Sequence, residues 1–377
     1  MDPTQSLPPS QDSRKRLNEI DQQIVRLLCR RSELLKEAIA ANPNPQSDWH
    51  AIWVQQQNAA MAIENEDSVV PLDRSLGVAL MKHVASATYH SVATRERVAY
   101  LGPIYSYSYL AALQHFGETS EHMPVASIGA VFDEVNRKQA RWGMVPIENS
   151  TDGRIVDTLT MFTRQPMKIC AEVLLPIHHY LLGRCRRSEV REIYSKPQAI
   201  SQCREWLRQH LPDAKLIEVG STAAAARMAA EKSNVAAIAS REAGIHHGLE
   251  VIEAEIEDNR LNVTRFAVIA LEPAAITGND KTSIMFRVPH KPGALADAML
   301  VFRQNRLNLT WIESFPIPES PSEYLFFIEL EGHQSQPNVF SAIEALRKQA
   351  VRLEILGSYP RAIQETSPTS SQPVGSI

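Results

Sequence analysis

The chain reads as a multidomain protein in three parts: an all-helical N-terminal region, a central α/β region and a C-terminal βαββαβ unit. Three observations carry that reading. Before about residue 95, apolar residues recur at helical spacing with no strand signal. From Arg97, short apolar runs ending in Gly or Pro alternate with helical stretches. Beyond a polar linker at 272–282, strand and helix patterns follow in the order of a ferredoxin-like unit. A length of 377 residues exceeds one ordinary domain, and 44% hydrophobic with 22% charged residues suits packed cores.

Taken in order, residues 1–12 are polar and Pro-rich and read as a disordered tail. A first helix is expected from Lys15, with Leu17, Ile20, Ile24, Leu27, Leu28, Leu34 and Leu35 at three- and four-residue steps. Pro43 and Pro45 end it. A second is expected over 47–63, with Ser47 or Asp48 as N-cap, and a third from about Leu72 to Thr94. The central strand runs are RVAYLG, RWGMVP, AEVLLPIHHYLLG, EIYS, KLIEVG, NVAAIAS and TRFAVIALE. Helical stretches fall between them, which predicts parallel pairing with ligands at the carboxyl ends of strands. The last unit is expected as strand Ser283–Val288, helix Pro292–Gln304, strands Leu307–Phe315 and Glu323–Glu331, helix Pro337–Lys348 and strand Val351–Gly357. Residues 361–377 are Ser/Pro-rich and read as a second disordered tail.

Several functions are excluded by composition. A net charge of −4 gives no basic footprint for nucleic acid. No apolar run is long enough to span a membrane, and the N-terminus lacks the apolar core of a signal peptide. The four cysteines are scattered, so a reduced cytoplasm is expected. His178 and His179 are adjacent with no further ligand at metal spacing, and no nucleotide-binding glycine motif occurs. No metal and no cofactor are expected.

Chemistry concentrates in four places. In GMVPIENST, Glu148, Asn149, Ser150 and Thr151 stand where a buried strand ends. In VGSTAAAARMAA, Ser221 or Thr222 caps a helix whose first amides could hold a carboxylate. LGPIYSYSYLAAL repeats that theme with Ser106 and Ser108. In NVTRFAVIA, strand alternation sends Thr264 and Arg265 to opposite faces. Alone, this last stretch reads as a strand former beside a solvated arginine.

Together, YLGP…SYS, VPIENSTDGRIVDTL, IYSKPQAISQC, GSTAAAA, AAIAS and NVTRFAVI occur in one order from Tyr100 to Ile269. That order resembles the prephenate dehydratase family. Residues 281–360 resemble its ACT domain through Gly293–Leu295 and Ile312–Pro316. Residues 13–95 resemble the chorismate mutase domain of bifunctional P-proteins. The resemblance implies a dehydratase domain at 97–272, folded as two α/β lobes in the manner of periplasmic binding proteins.

It also implies roles. Thr264 would donate to the leaving hydroxyl, with Glu148 and Asn149 as catalytic partners. Ser106, Ser150, Gln198, Ser221, Thr222 and His179 would contact the substrate. Gly293, Ala294, Leu295, Glu313 and Ser314 would hold regulatory L-phenylalanine where two protomers of a homodimer or homotetramer meet. Two departures stand out in the dehydratase part. Tyr105 replaces a usual glycine, so a different loop course is expected. Lys196 replaces a usual histidine and is expected to face water. In the regulatory part, Phe315 takes an arginine's place. Arg14 and Arg31 match mutase arginines. The mutase lysine position falls at Asn42, and the late glutamine near His90 or Ser91, with Ser86 close by. A degenerate mutase domain serving dimerisation is therefore expected. The alternatives are a bifunctional enzyme, arogenate as substrate, and a non-catalytic amino-acid sensor.

Overall fold

The computed structural model describes residues 11–41, 77, 80–81, 83–85, 87–88, 96–118, 120–317 and 320–362. The expected helix at 47–63, Asn42, Ser86, His90, Ser91 and most of both tails lie outside the described residues. The described residues before 95 belong to one unit and those from Glu121 onward to another, which also includes Glu96–Phe116.

In the first unit, α1 (Gln11–Ala41) runs for 31 residues and starts inside the segment assigned to the tail. Its apolar stripe is open: Leu17, Ile20, Ile24, Leu27 and Leu34 are 49–69% exposed, whereas Leu35 is buried. Arg31 bonds Thr88 Oγ1, and burial lowers the guanidinium's pKa. Arg14 is exposed.

The second unit begins with a mixed sheet. Its strands are β1 (Arg97–Leu101), β2 (Glu121–Val125), β3 (Trp142–Asn149), the short β4 (Gly153–Arg154), β5 (Lys168–Pro176) and β11 (Val263–Ala270). The order is β2-β1-β3-β11-β5, with β4 on β3. Strands β2, β1 and β3 are parallel, as expected. Strand β11 is antiparallel to β3 and β5 because the chain re-enters this sheet from the far side. Helix α2 (Tyr107–Phe116) covers one face. Helices α3 (Ile128–Asn136) and α4 (Val156–Arg164) cover the other. Both faces being covered explains why β3 is nearly continuous apolar sequence. A Cβ at Gly143 would lie 2.7 Å from both Ile269 Cγ1 and Val131 Cγ1, so only glycine lets α3 close on the ladder.

The intervening chain builds a second sheet in the order β10-β6-β9-β7-β8. Its strands are β6 (Tyr180–Gly183), β7 (Glu192–Ser195), β8 (Lys215–Glu218), β9 (Val235–Ala239) and β10 (Glu250–Glu253). Helices α5 (Pro197–Gln202) and α6 (Arg204–His210) pack on one face. Helices α7 (Thr222–Ala230) and α8 (Arg241–His246) pack on the other. Alanines 223, 225, 226 and 229 are buried, and their small side chains let α7 lie close on the strands. Two α/β lobes result.

The C-terminal unit is β12 (Asp280–Arg287), α9 (Ala294–Gln304), β13 (Leu309–Ile317), β14 (Ser320–Glu331), α10 (Pro337–Gln349) and β15 (Arg352–Pro360). This is the expected βαββαβ order, with boundaries displaced by a few residues. The sheet runs β13-β14-β12-β15. Its helices pack on one face. Through Met285, Phe315, Phe327 and Tyr359 the other face joins the core of the first lobe. Phe315 is thus buried within the chain, its ring centre 6.4 Å from that of Phe327. Strand β15 passes so near β5 that a Cβ at Gly357 would meet Ile169 O at 2.1 Å. The polar linker is shorter than expected. Asp280 accepts from Thr277 N, Thr277 Oγ1 and Gly278 N, and Asp280, Lys281 and Thr282 are buried at the head of β12.

Candidate active site

Across the β3–β11 ladder, Thr264 stands opposite Asn149 and Arg265 opposite Glu148. Alternation therefore divides the ladder into two chemistries.

Thr264 and Asn149 face a cavity of about 360 Å³. Ser106, Gln198, His179 and the α7 start at Ser221 and Thr222 also line it. Asn149 Nδ2 donates to Thr264 Oγ1 at 2.8 Å and to Asn262 Oδ1 at 2.9 Å. Its Oδ1 accepts from the amides of Thr151 at 3.0 Å and Asp152 at 3.1 Å. The amide is fully engaged, so its orientation is fixed. Because Thr264 Oγ1 accepts from Asn149, its own proton remains for donation into the cavity. Asn262 is 1% exposed, and among the described residues its Nδ2 has no partner.

Ser221 caps α7, accepting from Ala224 N at 3.1 Å, and turns the helix start toward the cavity. Ser106 Oγ donates to Leu101 O at 2.9 Å and accepts from Tyr109 N at 3.3 Å. The preceding Tyr105 does adopt the left-handed conformation, φ 63°, contrary to expectation. That costs about 1–2 kcal/mol, and packing of the ring offsets it: the Tyr105 ring centre lies 4.2 Å from that of His246 and 5.3 Å from that of Tyr109.

His179 is 1% exposed. Its Nε2 lies 2.8 Å from Gln202 Oε1 and its Nδ1 3.0 Å from Tyr107 OH. Burial lowers its pKa. Its amide donates to Glu257, which also holds His178 Nδ1 at 2.8 Å. That hydrogen bond raises the His178 pKa. Lys196, expected to face water, is exposed yet lines the cavity. Among the described residues it is the one cation doing so, and Asp157 the one carboxylate.

Two expected site residues are elsewhere. Glu148 accepts from Arg265 Nη1 at 2.7 Å on the reverse of the ladder and does not line the cavity. Ser150 extends the ladder, its Oγ accepting from Val263 N at 2.9 Å. Nor is Arg265 a solvated residue. It reaches Glu329 at 2.7 Å and Glu172 at 3.3 Å, and Lys281 bonds both carboxylates. Burial alone would lower the Arg265 pKa, but Glu329 and Glu172 carry it above its ordinary value. This buried cluster ties the first lobe to the C-terminal sheet.

The residues expected to hold phenylalanine are dispersed in character. Gly293 caps α9 at φ 81° with open space around it. Ala294 is buried, Leu295 packs under the helices and Ser314 is exposed. Glu313 is held by Arg154 Nη1 at 2.7 Å.

Sequence reasoning missed Asp152, Gln202, Tyr107 and Asn262. Gln202 lies one helical turn after Gln198, and Asn262 lies two residues before Thr264, just ahead of β11, so spacing could have found both. Among the described residues, no cluster of three His, Cys, Asp or Glu could hold a metal, and no helix is long and apolar enough to cross a membrane.

Fold and cleft define a two-lobed α/β enzyme whose cavity offers oriented donors and little formal charge. Residues 98–274 match the family model described as prephenate dehydratase. A bifunctional chorismate mutase/prephenate dehydratase of Aquifex aeolicus is 36% identical over 353 residues, 93% of this chain and 97% of that one. The crystal structure of a prephenate dehydratase in complex with L-Phe from Arthrobacter aurescens superposes with a TM-score of 0.66 at 32% identity, covering 70% of this chain and 90% of that one. The prephenate dehydratase of Staphylococcus aureus Mu50 gives a TM-score of 0.63 at 30% identity, with 70% and 99% covered. The chain belongs to the prephenate dehydratase family, in its P-protein form, and its reaction is the decarboxylating dehydration of prephenate in phenylalanine biosynthesis.

Proposed function

We propose that Thr264 is the hydrogen-bond donor to the leaving hydroxyl of prephenate and that Asn149 orients it. The carrying observation is the 2.8 Å bond from Asn149 Nδ2 to Thr264 Oγ1, which commits the hydroxyl oxygen as acceptor. The ring carboxylate leaves as CO2, and its electrons aromatise the ring. The ring hydroxyl departs with its bonding pair and takes up a proton, relayed through Thr264, to form water. Hydroxide is a poor leaving group, so a donor at that oxygen lowers the barrier. Lys196 pairs with the side-chain carboxylate, and the helix start at Ser221 and Thr222 adds amides without pinning the carboxylate that departs. Ser106, Gln198 and His179 complete the wall. Arogenate is a poorer fit, because its ammonium reduces the charge that Lys196 meets.

The βαββαβ unit is read as an ACT domain that binds phenylalanine; the Arthrobacter prephenate dehydratase is itself a complex with L-Phe. The contact of Glu313 with Arg154 beside β3 supports a route from that unit to the site. The open stripe of α1 supports assembly of at least two chains through the helical region. The test is incubation of purified protein separately with chorismate, prephenate and arogenate, beside a Thr264→Ala variant. Phenylpyruvate should form from prephenate and fall by roughly two to four orders of magnitude in the variant. Near-parental turnover by that variant would remove Thr264 from the mechanism.

A further inference from the structure

A continuous hydrogen-bonded circuit runs around the cavity and crosses from one lobe to the other. Its centre is Asp152, in the turn between β3 and β4 of the first lobe. The Asp152 amide donates to Asn149 Oδ1 at 3.1 Å, which joins it to Thr264. Its carboxylate reaches α5 of the second lobe, where Gln202 Nε2 donates to Oδ2 at 2.8 Å. Gln198 Nε2 donates to the same oxygen. Gln202 Oε1 then meets His179 Nε2, and His179 Nδ1 meets Tyr107 OH.

We propose that Asp152 is a positioning residue of the dehydratase reaction: it couples docking of the second lobe to the orientation of the cavity's polar wall, including the tautomer of His179. The proposal rests on the prephenate reading of this site and assigns it a cross-lobe control. An ionised carboxylate only accepts, so both glutamines must turn their NH2 groups toward Asp152. That leaves Gln202 Oε1 facing His179. Two acceptors cannot bond each other, so Nε2 of the histidine carries the proton, and the Nδ1 lone pair shares the Tyr107 hydroxyl proton with the His178 carbonyl, 2.7 Å from that hydroxyl. Burial favours the neutral ring that this arrangement requires. One exposed carboxylate thereby sets the direction of three side chains, Gln198, Gln202 and His179, the first and last of which were expected to touch substrate. The same residue's amide fixes Asn149 and through it Thr264. When the lobes separate, Gln198 and Gln202 lose this acceptor while Asn149 and Thr264 keep their partners, so the substrate finds the second-lobe side of the wall ordered only in the docked state.

The experiment uses the full chain, as Asp152→Ala and Asp152→Glu variants. Asp152 is exposed on a turn, so both are expected to fold. Steady-state kinetics with prephenate are read beside nitrogen-15 spectra of histidine-labelled protein, the His179 signals being assigned by their loss in His179→Asn. In the parent, His179 should be neutral with its proton on Nε2. In Asp152→Ala, kcat/KM should fall on the order of 10²-fold, as for a displaced site group, and His179 should become a mixture of tautomers. Asp152→Glu should recover part of both. A parental kcat/KM in Asp152→Ala overturns the proposal, and so does a kinetic loss with the His179 tautomer unchanged. Absence of prephenate turnover by the parent would sink the reaction reading instead, while the nitrogen spectra would still decide the role of Asp152.

Discussion

Replacing Lys281 with methionine removes one of two cations shared by three carboxylates behind the β3–β11 ladder. Lys281 bonds Glu329 at 2.9 Å and also contacts Glu172, and the side chains are 8%, 2% and 6% exposed. After the change, Arg265 alone must balance Glu148, Glu172 and Glu329. Breaking a buried pair by removing one partner costs about 3–5 kcal/mol. For a unit of this size each kcal/mol moves Tm by roughly 2–4 °C, so a fall of about 6–20 °C is expected. The loss should depend on pH. Burial alone would raise the Glu329 pKa, but Lys281 and Arg265 hold it below its ordinary value. In the parent its contribution is therefore present above the ordinary carboxylate range and is lost as pH falls through the lowered folded value. Without Lys281, burial prevails and the pKa rises. The variant's deficit should then be smallest in acid and grow as pH rises through that raised value. Thermal unfolding followed by circular dichroism at pH 5 and pH 8 measures both effects. Adding Glu329→Gln to the variant should recover part of the loss. A variant melting within about 2 °C of the parent at pH 8, with the parent's pH slope, would refute the reasoning.

Glu148→Gln, on the reverse of the ladder, should change melting temperature more than kcat, whereas Asn149→Ala should lower kcat by roughly 10²–10³-fold; paired melts and turnover assays separate the two faces. Lys196→Met should raise KM for prephenate roughly tenfold with little change in kcat, and the difference should shrink as salt rises. His178 and His179 should impose opposite pH limits on stability. The raised His178 pKa gives a contribution complete below about pH 6.5 and lost as pH rises, and the lowered His179 pKa one complete above it and lost as pH falls. In melts across pH, His178→Asn should flatten the alkaline decline and His179→Asn the acid decline. Gly293→Val forces a β-branched residue to φ 81° and should weaken phenylalanine binding and inhibition together, read by calorimetry beside activity.

Much of this was legible locally. The order of motifs placed Asn149, Thr264, Ser221 and Thr222 around one cavity, because each sits at an element end that sheet topology brings together. Glu148 was misplaced because neighbours in sequence were taken as neighbours in space. The alternation that separates Thr264 from Arg265 separates Glu148 from Asn149 just as firmly. Asp280, Lys281 and Thr282 read as linker because their polarity gives no hint of partners far along the chain. Asp152 and Gln202 meet across 50 residues, a separation that no local pattern encodes. Tyr105 shows the converse, since its aromatic contacts outweigh a backbone preference that sequence reports faithfully.

The pairing of β5 with β11 has a mechanical consequence. The chain leaves the first lobe and returns to it through these adjoining strands, Pro176 beside Val263, with Ile177 N bonded to Asn262 O at 2.8 Å. The second lobe is thus an inserted cassette hung on a two-strand stem. For any rotation about that stem, displacement grows with distance from the axis. Thr264, one residue beyond Val263, lies beside the axis and stays nearly still, while Gln198, Ser221 and Thr222 sweep an arc. Under the proposed role of Thr264, the donor is the fixed side of the cavity and the inserted lobe is the side that moves.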